Sequence, residues 1–226
     1  MLLYHRADVQ APEGYPLHAA AANGHTAIVK LLLDNHADPN SFTDHCVGGY
    51  ALQEACAAGN IETAKVLLDK DANPNRGAGE LFSPLTAATY RANGDLVKLL
   101  LGKGADPNLF GGPSNSYGTA LHAAAAGGHA PTCRLLLEKG ANPKQLGGPY
   151  LTAIQAAAAS GEPDCVKAIL DHAPDLPLDE YGGTHYSALH AAAVQNNDKC
   201  LRLLLERNRV ELDVVPKPKA PRSTIG

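Results

Sequence analysis

The chain has 226 residues, 45% of them hydrophobic, with only 5% aromatic residues, no tryptophan and a net charge of −4. A negative balance supplies no overall field for nucleic acid or acidic lipid, so neither is expected as a partner. The apolar runs are far shorter than a membrane span, and the opening MLLYHRADVQ lacks the hydrophobic region of a signal peptide.

In chain order, Leu2–Asp8 aligns with Leu32–Asp38, so residues 1–13 read as part of a unit that recurs downstream. That reading predicts a longer parent chain, with a partner interface at this end as the alternative. The full units begin near 14, 49, 82, 118, 151 and 186, and together they cover 14–213. Their central apolar residues are Leu17, Leu52, Leu85, Leu121, Ile154 and Leu189. Sixteen positions further on stand Leu33, Leu68, Leu101, Leu137, Leu170 and Leu205. Six aligned copies predict a stacked array, because one small unit cannot bury its own apolar face.

Each unit reads as helix, turn, helix and extended loop. Ser83, Thr119, Thr152 and Ser187 stand where a hydroxyl caps a helix N-terminus. Pro16 and Pro84 then take the first helical position, where a missing N–H costs nothing. An Ala-rich helix follows, and Gly24, Gly59, Gly128 and Gly161 end it in the left-handed conformation. The third unit has Ala92 in that column, which predicts a first helix continuing towards Asn93. Segments such as IVKLLL and CRLLL form the second helix, with Pro131 and Pro163 in its first turn. Asx-Pro in Ala37–Asn40, Ala72–Asn75, Ala105–Asn108 and Ala141–Lys144 then breaks the helix. The fifth unit ends in HAPDLPLDE and the sixth in ERNRVELDVV, so both loops are expected to be irregular. Residues 214–226, VVPKPKAPRSTIG, read as a disordered proline-rich basic tail.

TALHAAAAGGH followed by LLLEKGANP resembles the ankyrin repeat, whose pattern runs TPLHxAA, GH, VVxLLL and GADxN. The resemblance implies an all-α solenoid of stacked helix-turn-helix units with protruding loops. Its implied function is protein–protein recognition, as a scaffold, through the concave face and loop tips. GGYALQEACAAGN, GGPYLTAIQAAAASGE and GGTHYSALHAAA are similar to arrays of filamentous-fungal proteins. An alternative function follows, a sensor or regulatory segment of a larger multidomain protein whose effector domain lies elsewhere.

Chemistry finds little support. His18, His122 and His190 share a column but belong to the first, fourth and sixth units, too far apart for one metal. In the family this histidine hydrogen-bonds hydroxyl and backbone groups near the loop; Thr119 and Ser187 are the hydroxyls on offer. Gln53 and Gln155 replace it in other units, which suits hydrogen bonding and not proton transfer. Cys46, Cys56, Cys133, Cys165 and Cys200 are odd in number and scattered, so a reducing compartment is expected, cytoplasmic or nuclear. Gly111-Gly112 and Gly147-Gly148 lack a phosphate-loop pattern and read as flexible loop. The outward column Lys30, Lys65, Lys98, Arg134, Lys167 and Arg202 is interleaved with acids and reads as a solvated face. No enzyme, metal site or cofactor is therefore predicted.

The partner expected is a protein, held by an array that is monomeric or part of a longer chain. Most inner-face positions are alanine, so the exceptions are the candidate contacts. Glu54, Tyr90, Arg91 and Gln195 lie on or just after first helices, and Phe82, Tyr117, Tyr150, Tyr181 and Tyr186 in or beside loops. Tyrosine and arginine are typical interface anchors.

Overall fold

The computed structural model describes residues 11–44, 49–78, 82–110, 117–178 and 180–208, without the side chains of 11–14 and 208. The first ten residues and the 214–226 tail thus lie outside the described residues. So do Cys46 and Gly111-Gly112, and the end of the sixth unit beyond Asn208.

The described residues form twelve α-helices in six hairpins. The first helices are α1 (Ala11–Ala22), α3 (Ala51–Ala58), α5 (Pro84–Tyr90), α7 (Ala120–Ala126), α9 (Ala153–Ser160) and α11 (Ala188–Val194). The second helices are α2 (Thr26–Asp34), α4 (Ile61–Asp69), α6 (Gly94–Gly102), α8 (Ala130–Glu138), α10 (Pro163–His172) and α12 (Asp198–Asn208). Each layer packs in chain order, and contacts are denser in the alanine-rich first layer. Small side chains let those backbones approach, while Leu, Val and Ile fill the space behind them. Leu17, Leu85, Leu121 and Ile154 are at most 1% exposed, as the repeat pattern requires. No strand occurs among the described residues, only an isolated antiparallel bridge between Phe42 and Tyr50.

The caps follow the sequence. Ser83, Thr152 and Ser187 accept from the N–H three residues on. Pro84 and Pro163 open α5 and α10, and Pro131 lies in the first turn of α8. Pro16 differs: α1 begins at Ala11, so this proline sits inside the helix. Its ring keeps a helical φ, and the loss is one hydrogen bond.

The expected extension of α5 towards Asn93 does not occur, since the helix stops at Tyr90. Ala92 itself turns left-handed (φ 55°), as Asn196 does in the sixth unit (φ 52°). The Asn93 side chain then accepts the N–H of Leu96 and caps α6. Packing of α5 and α6 therefore imposes the turn that glycine makes easily elsewhere, at a cost of about 1–2 kcal/mol for a residue with a Cβ.

The asparagine that ends the helix-breaking motif has a second task. Asn40 Nδ2 donates to the Asp71 carbonyl (2.9 Å), and its Oδ1 accepts the N–H of Asn73 (2.7 Å). Asn75 does the same with Gly104 and Asp106, and Asn108 with Gly140 and Asn142. Each side chain thus staples its loop to the next repeat. The ladder stops at Lys144, whose ammonium instead meets Asp175 at 2.6 Å. Asn108→Ala is expected to cost about 1 kcal/mol, because two exposed hydrogen bonds between repeats are replaced by bonds to water. Urea unfolding followed by circular dichroism checks this.

The fifth unit is irregular, as expected. Helix α10 runs one residue longer than α8, and its cap Ala173 has φ −125° where the aligned His36, Asp71, Gly104 and Gly140 turn left-handed. Leu176 and Leu178 beyond it are buried, so this loop contributes to the core.

Candidate functional site

The histidine column is built into the scaffold. His18 is fully buried, and its Nε2 donates to the carbonyls of Ser41 (3.0 Å) and Gly49 (3.2 Å). His122 Nδ1 accepts the N–H of Thr119 (3.3 Å) and lies 2.9 Å from its hydroxyl. The proton is thereby assigned to Nε2, which is buried at the pocket wall and makes no hydrogen bond among the described residues. Burial pushes the His122 pKa down to about 4. Glutamine performs the same task. Gln53 exchanges two hydrogen bonds with Ala78, and Gln155 joins Thr152 to the carbonyls of Glu180 and Tyr186. His190 differs. Its ring is exposed beside Tyr186 (centroids 5.7 Å), and only its backbone N–H reaches the Ser187 hydroxyl.

Cys56, Cys133, Cys165 and Cys200 are free and buried. Burial raises the Cys56 thiol, and pushes Cys200 up to about 11. No metal-binding group of three ligands occurs among the described residues. The outer Lys/Arg column is exposed along its length. Asp34, Asp69 and Asp175 are held below the usual carboxylate range by hydrogen bonds from Lys70, Lys103 and Lys144. This face carries both signs.

Three of the sequence candidates converge. Tyr90 ends α5, while Tyr117 and Tyr150 stand four residues before Leu121 and Ile154. Stacking of the third, fourth and fifth units brings their rings around one cavity of about 390 Å³. Its floor is Ala123, Ala126 and Gly127 of the α7 region, and Gly147, Pro149 and the His122 ring complete the wall. The Tyr90 and Tyr117 rings lie 4.8 Å apart and tilted by 53°. Tyr150 stacks on His185 (5.9 Å, 27°). No lysine, arginine, aspartate or glutamate lines the cavity, so it favours an uncharged, largely apolar group.

The glycines read as flexible are fixed by crowding instead. Gly148 is left-handed (φ 67°), and a Cβ there would stand 3.0 Å from the Gly118 nitrogen. A Cβ on Gly147 would meet the Phe110 ring at 2.7 Å. These close approaches hold the Pro149–Tyr150 wall in place.

The remaining candidates lie apart from the cavity lining. Arg91 Nε donates to the Ala57 carbonyl (2.6 Å), which ties two repeats together. Glu54 sits in the first turn of α3, and Gln195 caps the end of α11. Tyr181 and Tyr186 are exposed near the last repeat. Phe82 (φ 51°) and Tyr186 (φ 60°) occupy the position just before a first-helix cap, where Gly49 and Gly118 are also left-handed. Phe82 is partly buried there, whereas Tyr186 is 62% exposed. Tyr186→Gly is therefore expected to raise stability by about 1 kcal/mol, since a left-handed strain is relieved and little packing is lost. Thermal unfolding checks this. One cluster was missed in the sequence: Phe42 and Tyr50 meet edge to face at 5.4 Å, with the Arg76 guanidinium 6.0 Å over the Tyr50 ring.

A family model for ankyrin repeats in three copies matches residues 1–78, 17–111, 79–146 and 144–215. The chain belongs to the ankyrin repeat family. The ankyrin repeat domain of human ASB11 is 30% identical, with a TM-score of 0.69 over 85% of this chain and 83% of that one. An ankyrin repeat domain from Acinetobacter baumannii AYE is 26% identical, with a TM-score of 0.72 over 86% of this chain and 98% of that one. No curated protein sequence matches significantly. Ankyrin domains are generally protein-interaction modules and typically non-catalytic. No helix among the described residues is long and apolar enough to cross a membrane.

Proposed function

We propose that this ankyrin array recognises a protein partner by taking an apolar side chain into the Tyr90–Tyr117–Tyr150 pocket. The observation that carries the reading is the convergence of three tyrosines from three successive repeats on one uncharged cavity. Elsewhere the inner layer is mostly alanine, which supplies shape and little anchoring. Tyrosine offers a large contact area with few rotatable bonds. Tyr90 is 47% exposed, so it is available to cover an incoming group. Tyr181, Tyr186, Phe82, Glu54, Arg91 and Gln195 then serve as rim contacts along the same face, with no cofactor and no covalent step.

A displayed peptide library selected against the array tests this. Selected peptides are expected to lose roughly tenfold or more in affinity for Tyr90→Ala. Ala126→Phe, which fills the cavity from the end of α7, is expected to do the same. Equal affinity for both variants and the parent chain would reject the pocket as the anchor. A melting temperature close to that of the parent separates lost contact from lost fold.

A further inference from the structure

We infer that the tyrosine pocket takes this chain's own proline-rich segment, Val214–Arg222. The inference rests on the pocket being the recognition point proposed above. The segment reads VVPKPKAPR and lies among the 18 residues that follow Asn208. It places Pro216, Pro218 and Pro221 within six positions.

Its chemistry matches the cavity. Proline presents a flat apolar ring and fixes its own φ, so a proline-rich strand loses little freedom when it binds in extended form. Aromatic-lined grooves are the usual receptors for such strands, with rings stacking on rings and hydroxyls donating to the free carbonyls. The rings of Tyr90, Tyr117 and Tyr150 supply the aromatic walls, and Pro149 adds a further apolar one.

The charges also match. Residues 11–208 hold 14 Lys and Arg against 20 Asp and Glu, a net of −6. Residues 214–226 hold Lys217, Lys219 and Arg222 and no acid, a net of +3. The pocket lining is uncharged, so the prolines enter it and the lysines stay outside, on an array of opposite net charge.

The reach is sufficient. The chain leaves the array after α12, in the sixth repeat, and α11, α9 and α7 pack in succession back to the pocket. At about 8–10 Å per packed helix that is roughly 20 Å along the array, with about 10 Å more to cross one helix layer. Pro221 lies thirteen residues beyond Asn208, a stretch that spans about 40 Å when extended. A tethered segment acts at an effective concentration in the millimolar range. Even a weak site is then occupied, and a partner must displace the segment to enter.

Trypsin reads this out in the full chain. The Lys219–Ala220 and Arg222–Ser223 bonds are open to the enzyme, whereas Lys217 precedes a proline. Cleavage at these bonds is expected to be about tenfold slower than in a free peptide of residues 214–226. Tyr90→Ala should restore the peptide rate, as should the triple change Pro216→Ala, Pro218→Ala and Pro221→Ala. Parent-chain cleavage as fast as in the peptide would overturn the inference. If library-selected peptides still bound the pocket in that case, the pocket reading would stand and only its occupant would be wrong. If they too ignored the pocket variants, both readings would fail together.

Discussion

Lowering the pH from 6.5 to 4 is expected to remove about 3 kcal/mol of stability through His122 alone. Burial holds this imidazole neutral in the folded chain down to about pH 4, against 6.5 when it is free. Between those values the unfolded chain takes up a proton that the folded chain refuses. Stability from this group is therefore fully present above pH 6.5, falls with pH and is exhausted below about pH 4. Hydrogen bonds from lysines lower Asp34, Asp69 and Asp175 as well, so their contributions are lost in the same direction, at still lower pH. His122→Gln should flatten the upper window and leave neutral-pH stability nearly unchanged, because Gln53 and Gln155 already make the equivalent bonds. Chemical unfolding of both chains across this range decides the matter. A variant with the same slope as the parent would place the titrating group elsewhere.

Leu121→Ala is expected to cost about 3–5 kcal/mol. The side chain is fully buried at the centre of the fourth repeat, where first and second helices meet. Repeat arrays couple only through neighbours, so a lesion there also divides the stack. Unfolding in urea should change from one steep transition to two, with repeats on either side melting apart. Hydrogen exchange should show α7 and α8 losing protection first. A single transition displaced by less than about 1 kcal/mol would mean that the repeats are not the cooperative units.

Much of this fold was legible because the sequence writes the unit six times. The leucine column, the hydroxyl caps and the glycine turns each have a local physical cause, and a local cause is visible in a single repeat. Ala92 was misjudged because its left-handed turn is imposed by the packing of α5 on α6, which residue preference does not report. Asn75 and Asn108 were read as helix breakers. Their hydrogen bonds across repeats depend on the stacking distance, which no single unit reveals. The pocket was half legible. Tyr117 and Tyr150 share a column, so their adjacency follows from the repeat. Tyr90 comes from the far end of another helix, and only the stacked structure brings its ring within 4.8 Å of Tyr117. Gly147 and Gly148 read as flexible loop, while the stacked structure places them where a side chain would collide with Phe110 or Gly118.

The central claim is that recognition is anchored by three tyrosines on a scaffold whose histidines are structural. Tyrosine-ring resonances, followed during titration with a peptide selected against the array, test it most directly. The chain has eight tyrosines. Tyr90, Tyr117 and Tyr150 are expected to shift first and together, and the His122 ring to keep its bond to Thr119. Shifts confined to Tyr181 and Tyr186, with the pocket tyrosines unmoved, would contradict it.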